Sequence, residues 1–472
     1  MNSADLTIAE AGQQLRQGLL TSAVLTAAHL ERVAQREPVL HAFATVTTER
    51  AHVDAVRADR ELADGVDRGP LHGIPIGLKD LIDTAGIPTC CGSRVMDGNV
   101  PSADAEVARR LVAAGAVLLG KTQTYEFAVV GPSFDLPLPP ATNPWNPAHI
   151  TGGSSSGSAS AVAGGLLRTA IGTDTGGSIR SPACYCGVVG LKPTYGRVSK
   201  RGVFPLSPSL DHVGPIGATV EDAALTLDAI SGHDPDDPAS YSGDWSPAAA
   251  LIGRDLEGLR LGYARAWFAD DPAADPAIVT AMDEAVSVLS LCGVRIEDVA
   301  MPDYDLLEAA GAVILHAEAF AVHREMMRQR PGDYGRLAYQ SILSGLLLDD
   351  EAVALARRAG AALGQAIDAL LLRFDALVTI NTLATALPFA AFDGKSVVWT
   401  QMRTLPFNVT GHPVLAVPIG HARGLPMGMQ LVGRRFDEAG LCRIGAAFEA
   451  ATDHLVIRPP GLGPDNATFV HV

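Results

Sequence analysis

Residues 151–182, TGGSSSGSASAVAGGLLRTAIGTDTGGSIRSP, carry two Gly-Gly-Ser turns, Gly152-Gly153-Ser154 and Gly176-Gly177-Ser178, on either side of one apolar segment. Within that segment Ser158–Leu167 reads as a helix and Arg168–Asp174 as a strand. The glycines end the strand and leave Ser178 in a loop at its C-terminal end, where ligand sites gather in open α/β sheets. Glycine has no Cβ, so backbone amides in such turns can approach a ligand closely and point at it. A hydroxyl beside those amides places a nucleophile next to an oxyanion hole. Two turns joined by a helix and a strand read as parts of one active site.

The flanking sequence repeats the same alternation. Ala105–Gly115 is predicted helical and Ala116–Gly120 a buried strand, and Val220–Ser231 is a further helix. Strands over Leu259–Ala264 and Val294–Val299 bracket a helix over Ala277–Cys292. Asp375–Ile380, Val414–Pro418 and Gly428–Val432 read as returning strands. Residues 7–65 are mostly helical in pattern, residues 305–372 strongly so, and the polar stretch His233–Pro247 reads as a surface excursion. This pattern gives an α/β fold. We read one domain over 1–472: an N-terminal helical part (1–69), a catalytic core (70–232) and a helical insertion over the pocket (305–372).

Composition narrows the function classes. The chain has 472 residues, 47% hydrophobic and 19% charged, as expected for a globular protein with ample core. A formal net charge of −16 argues against nucleic acid or an anionic membrane as partner. No basic segment followed by an apolar one opens the chain, and apolar runs such as Leu111–Gly120 are too short to span a bilayer. Six cysteines form no C-x-x-C pair, and Cys184 and Cys186 lack the second half of a zinc site. Reduced thiols in a cytoplasmic protein are expected, without metal, nucleotide or flavin cofactor.

A serine needs a base to act as a nucleophile. None of the thirteen histidines stands in a recognisable triad context; His72 and His212 lie beside Gly/Pro turns, where structural roles are common. Gly153–Gly157 formally fits G-x-S-x-G, but the preceding ATNPWNPAHITGG contains no apolar strand to lead into such an elbow. Lys79, in GIPIGLKD, is the other candidate. A free lysine has a pKa of about 10.4, and burial lowers it toward a neutral amine that can accept a proton. Taken alone, a lysine after an apolar run is more often a solvated strand end; the two Gly-Gly-Ser turns make it a base candidate.

The blocks GIPIGLKDLIDTAG, GAVLLGKTQTYEFA, NPAHITGGSSSGSASAVAGG, GTDTGGSIRSPACYCGVVGLKPTYGRVS and GLPMGMQLVG, in this order, resemble the amidase signature family of serine hydrolases. The resemblance runs from about residue 70 to 232 and returns near 404–433. It implies a single large, mixed, twisted β-sheet flanked by helices on both sides. By position it implies Lys79 as the catalytic lysine, Ser154 as a bridging serine after a cis peptide, and Ser178 as the nucleophile. It also implies an oxyanion hole from the amides of Thr175, Gly176, Gly177 and Ser178, with Ser155, Asp174 and Arg180 bracing the site. Ser156 stands where many members carry glycine.

The expected function is hydrolysis of a C–N bond other than a peptide bond, in a small amide, carbamate (urethane) or ureide, through an acyl-enzyme. The alternative is the glutaminase subunit of a tRNA-dependent amidotransferase, which needs partner subunits. A catalytically dead scaffold is the third class, disfavoured because every catalytic position is filled. Substrate choice is expected from Tyr125–Pro140, the helices around 305–350 and Thr382–Thr404; Tyr125, Phe134, Leu136 and Leu138 are the pocket candidates. The expected partner is a small molecule, with a homodimer the expected assembly if there is one.

Overall fold

The structure is a computed structural model and describes residues 2–460. The first strands are β1 (Phe43–Val46), β2 (Pro75–Lys79) and β3 (Val117–Thr122). A small hairpin of β4 (Thr142–Asn143) and β5 (Asn146–Ile150) stands apart, and β6 (Thr169–Asp174), β7 (Val189–Lys192) and β8 (His212–Gly217) follow. The last are β9 (Arg260–Tyr263), β10 (Arg295–Asp298), β11 (Ala376–Ile380), β12 (Val414–Ala422) and β13 (Leu425–Val432). Eleven of them form one mixed sheet in the order β1-β3-β2-β6-β8-β7-β12-β13-β11-β9-β10.

Alternation along the central strands puts consecutive side chains on opposite faces. Leu118 and Ile171 join one large apolar cluster with Ile76 and Leu78, while Val117, Leu119 and Ala170 join another. Both faces are therefore covered, which is why these strands read as continuous apolar runs. The long helices Tyr304–Gln329 and Asp350–Leu371 pack on each other, and Leu307, Ile367 and Leu371 join Leu377 of β11, Val414 of β12 and Val432 of β13 in one apolar cluster. Tyr304–Gln329 is long and apolar enough, by length and composition, to cross a membrane, longer than the apolar runs noted in the sequence. Leu307, Ala310, Ile314 and Ala319 on this helix are buried against the rest of the chain.

The helices and strands read from the sequence are present within a few residues, and 233–247 holds no regular element. The mostly helical expectation for 7–65 holds, with one strand that it does not name. Helices Ile8–Arg16, Ser22–Leu40 and Thr48–Ala63 are interrupted by β1, four residues that pair antiparallel with β3. So short a strand carries no periodicity of its own; its partner specifies it.

β2 runs parallel to β6, with Gly77 opposite Ala170 and Leu78 opposite Ile171. Their C-terminal ends, at Lys79 and Asp174, therefore lie side by side. The helix Ser156–Ala163, SGSASAVA, packs against both strands and is buried throughout. Its small residues make this possible: a Cβ on Gly157 would stand 2.2 Å from the Ala42 carbonyl and 2.3 Å from the Gln123 amide. Its hydroxyls are satisfied internally, Ser158 donating to the Ile171 carbonyl at 3.1 Å and Ser160 to that of Thr142 at 2.8 Å.

Candidate active site

Lys79 ends β2 with its side chain fully buried. Its Nζ contacts Ser154 Oγ at 2.7 Å and Thr173 Oγ1 at 2.8 Å. Burial pulls the ammonium down to about 7, against the carboxylates of Asp174 and Asp211, which favour its charged form. Desolvation wins because neither carboxylate touches Nζ, whereas the whole side chain is out of water. Ser154 follows a cis peptide bond from Gly153. The next amide, that of Ser155, donates to the Ser178 carbonyl at 3.2 Å, tying the two Gly-Gly-Ser turns together. Ser154 and half-buried Ser178 line one cavity.

The loop between β6 and the helix Arg180–Cys186 wraps around the buried carboxylate of Asp174. Asp174 accepts from the Gly177 amide at 2.8 Å and the Ile179 amide at 3.1 Å, and from Arg180 Nε and Nη2, both at 2.9 Å. Burial alone would raise this carboxyl, but the Arg180 guanidinium, with help from Lys192 and Asn408, holds it well below the usual carboxylate range. Arg180 also donates to the Thr404 carbonyl and Gln430 Oε1, each at 2.8 Å, and to Asn408 Oδ1 at 2.6 Å. Asn408 returns a bond to the Asp174 carbonyl at 2.9 Å, and Thr404 Oγ1 donates to the Gly176 carbonyl. Every polar atom added to this buried ion pair has a partner, the condition under which such a pair persists in low dielectric.

Most of the expected site residues converge here. Lys79, Ser154, Ser155, Thr175, Gly176, Gly177 and Ser178 surround the end of the β2–β6 pair, with Asp174 and Arg180 beneath. Ser155 Oγ spans to β6, donating to the Thr173 carbonyl at 3.1 Å. One expected oxyanion donor is corrected: the Gly177 N–H is directed at Asp174 Oδ1, because its φ of +130° turns the amide into the loop. The Gly176 and Ser178 amides have no protein partner among the described residues.

Of the pocket candidates, Tyr125 lines the cavity beside Ser154, whereas Leu136 and Leu138 line a second cavity behind it. Phe134 is corrected too: it is 51% exposed and meets Phe389 edge-on, because its loop turns Leu136 inward instead. The cavity wall also includes Leu315, Val398, Trp399 and Met402, from the two distant regions expected to shape it. Thr173, Thr404, Asn408 and Gln430 carried no signal in the sequence, since polar residues inside apolar strands and loops look alike until the fold pairs them. No group of three or more His, Cys, Asp or Glu side chains is set to hold a metal among the described residues.

Comparison with known proteins identifies the family. The profile of the amidase family matches residues 24–442. The A subunit of the glutamyl-tRNA(Gln) amidotransferase of Synechococcus sp. (strain WH7803) is 38% identical, the alignment covering 96% of this chain and 99% of that protein. A solved chain from a vestigial protein complex, described in connection with the origins of an s-triazine catabolic enzyme, is 33% identical with a TM-score of 0.88, covering 94% of this chain and 98% of that one. The native peptide amidase of Stenotrophomonas maltophilia is also 33% identical, with a TM-score of 0.83 and coverage of 97% and 98%. The chain belongs to the amidase signature family, whose members are enzymes acting on C–N bonds.

Proposed function

We propose that this chain hydrolyses a carboxamide through an acyl-enzyme on Ser178, with Ser154 and Lys79 as the proton relay. The observation that carries the reading is the buried Lys79–Ser154 contact at 2.7 Å, opening on the cavity that holds Ser178. Neutral Lys79 takes a proton from Ser154, and Ser154 takes one from Ser178 as its oxygen attacks the carbonyl carbon. The Gly176 and Ser178 amides meet the oxyanion; losing one such donor typically costs about 3–4 kcal/mol. The relay then runs backward, Ser154 protonating the departing nitrogen as the C–N bond breaks. Water repeats the sequence on the ester, releasing the acid and restoring Ser178.

Two observations bear on the amide itself. The cavity is walled by Tyr125, Ile150, Leu206, Leu315, Trp399 and Met402, and no charged side chain lines it among the described residues. This supports a small amide with an apolar acyl group. Glutamine would bring an ammonium and a carboxylate into this wall, and desolvating unpaired ions costs several kcal/mol each. The relatives favour the second reading: the Synechococcus protein is named as the A subunit of an amidotransferase, and its match spans nearly the whole chain. On that reading the site is a glutaminase working with partner subunits. Carbamates and ureides share the acyl–nitrogen bond but draw no support from the relatives' names.

One panel assay separates these. The purified chain is given apolar primary amides, aryl amides, carbamates, biuret and L-glutamine, and ammonia or amine release is measured. Turnover of apolar amides with weak glutaminase activity supports the first reading. Glutaminase activity that rises on adding partner subunits, with no apolar amide turned over, replaces it with the second.

A further inference from the structure

Beside the Ser154–Ser178 cavity the backbone takes a conformation that side chains resist. Phe127, at φ +48°, and Ala128, at φ +62°, both lie in the left-handed region. A Cβ disfavours that region, so non-glycine residues stay in it only where their surroundings over-determine them. The turn shapes the cavity, because Ala128, Val129, Val130 and Gly131 run on from it as part of the wall.

What holds this turn comes from far along the chain. Glu126 is fully buried, and its carboxylate accepts from Ser93 Oγ at 2.5 Å and from the Gly335 amide at 2.9 and 3.1 Å. Gly335, 209 positions away, sits between the helices Tyr304–Gln329 and Arg336–Leu343. The same segment is fastened on either side of Gly335. The Arg336 amide donates to Asp135 Oδ2 at 2.9 Å, and Arg330 Nη2 donates to the Arg94 carbonyl at 3.1 Å. The buried Phe127 ring packs among Phe204, His323 and Tyr334, with centroids 5.0, 4.5 and 5.5 Å away. Burying a carboxylate is costly unless its oxygens are bonded, and these bonds join the turn to two separate segments.

We propose that Glu126 is a positioning residue: by bonding Ser93 and the Gly335 amide it clasps the left-handed turn at Phe127–Ala128, and so sets the wall Ala128–Gly131 against which the substrate binds. Its effect on substrate rests on the amide-hydrolysis reading above; the clasp itself does not. Tyr125 stays tied to the relay, its amide donating to the Ser154 carbonyl at 3.1 Å. A loosened turn should therefore weaken binding more than it slows proton transfer.

The test reads the turn and the activity separately. In wild type the amides of Phe127, Ala128 and Val129 donate to the carbonyls of Cys91, Tyr125 and Glu126. In Glu126→Ala these three amides should exchange with deuterium about tenfold faster or more, as a locally opened segment does. KM for butyramide should rise about tenfold while kcat stays within about threefold, the signature of lost ground-state binding. Gly335→Ala works on the clasp from its other end, since a Cβ there would stand 2.6 Å from Glu126 Oε2, and should show the same two changes. Glycine adopts left-handed backbone freely, so adding Ala128→Gly to Glu126→Ala should restore protection and bring KM back to within about threefold of wild type. Exchange unchanged in both Glu126→Ala and Gly335→Ala overturns the clasp, whatever the activity. A fall in kcat at constant KM, or no rescue by Ala128→Gly, overturns the positioning role and leaves the amidase reading standing. Faster exchange in a protein whose wild type hydrolyses no amide keeps the clasp, overturns the amidase reading and removes the role in substrate binding.

Discussion

Lys79 and Ser154, 75 positions apart in the sequence, meet inside the protein with Nζ 2.7 Å from Oγ. Neither side chain has another route to water: Lys79 is fully buried and Ser154 is 2% exposed. On the proposed reading, desolvation makes this lysine a base, and its hydroxyl neighbour carries the proton to the cavity.

The pH dependence follows from that burial. Lys79 must be neutral to accept a proton, and its ammonium titrates at about 7. The kcat/KM is therefore expected to rise with pH through about 7 and level off above it. A pH–rate profile flat between 5.5 and 8.5 (values on the order of the ordinary working range) contradicts this.

The same group acts on stability with the opposite preference. Its folded pKa lies below the unfolded value of 10.5, so the destabilisation is fully present below about 7 and is relieved as pH rises toward 10.5. Lys79→Met is expected to gain stability relative to wild type more at low than at high pH across that window. Thermal melts of both proteins at several pH values measure the difference. Lys79→Ala should meanwhile lower kcat by about 10²–10⁴, the span of general base contributions.

Arg180→Leu should leave Asp174 charged and buried beneath the nucleophile loop. Breaking a buried pair from one side costs about 3–5 kcal/mol, to be read from urea unfolding. A change under about 1 kcal/mol, well below the usual range for such pairs, would mean that the hydrogen bonds from Asn408 and the loop amides suffice alone.

Gly177→Ala separates loop shape from fold. At φ +130° a Cβ would stand 2.2 Å from Thr404 Oγ1, so the loop must shift and carry the Gly176 and Ser178 amides with it. We expect kcat to fall about 10²-fold or more, the order of one lost oxyanion donor, with circular dichroism unchanged. Near-normal kcat would place the oxyanion elsewhere.

The fold was legible where the chain is repetitive in its physics. Strands buried on both faces, such as Val117–Thr122 and Thr169–Asp174, announce themselves as apolar runs, and the long helices of 305–372 by their richness in Ala and Leu. Phe43–Val46 is too short for a period and exists because β3 offers an edge. The Gly-Gly-Ser turns and Lys79 were readable because glycine pairs and a lysine inside apolar sequence are locally odd. Asn408 and Gln430 were not: their roles depend on Arg180, more than 200 residues away, and nothing local marks them. The direction of the Gly177 amide was equally hidden, since sequence names a glycine but not its φ.

The enzymatic reading stands or falls with Ser178 as a nucleophile activated through Ser154 by Lys79. Intact-mass analysis after exposure to an aryl fluorophosphonate probes that relay without any assumption about substrate. One adduct, mapped to Ser178, absent in Ser178→Ala and formed far more slowly in Lys79→Ala, is the expected outcome. Labelling of Ser178→Ala at the wild-type rate, or labelling indifferent to Lys79, would refute it.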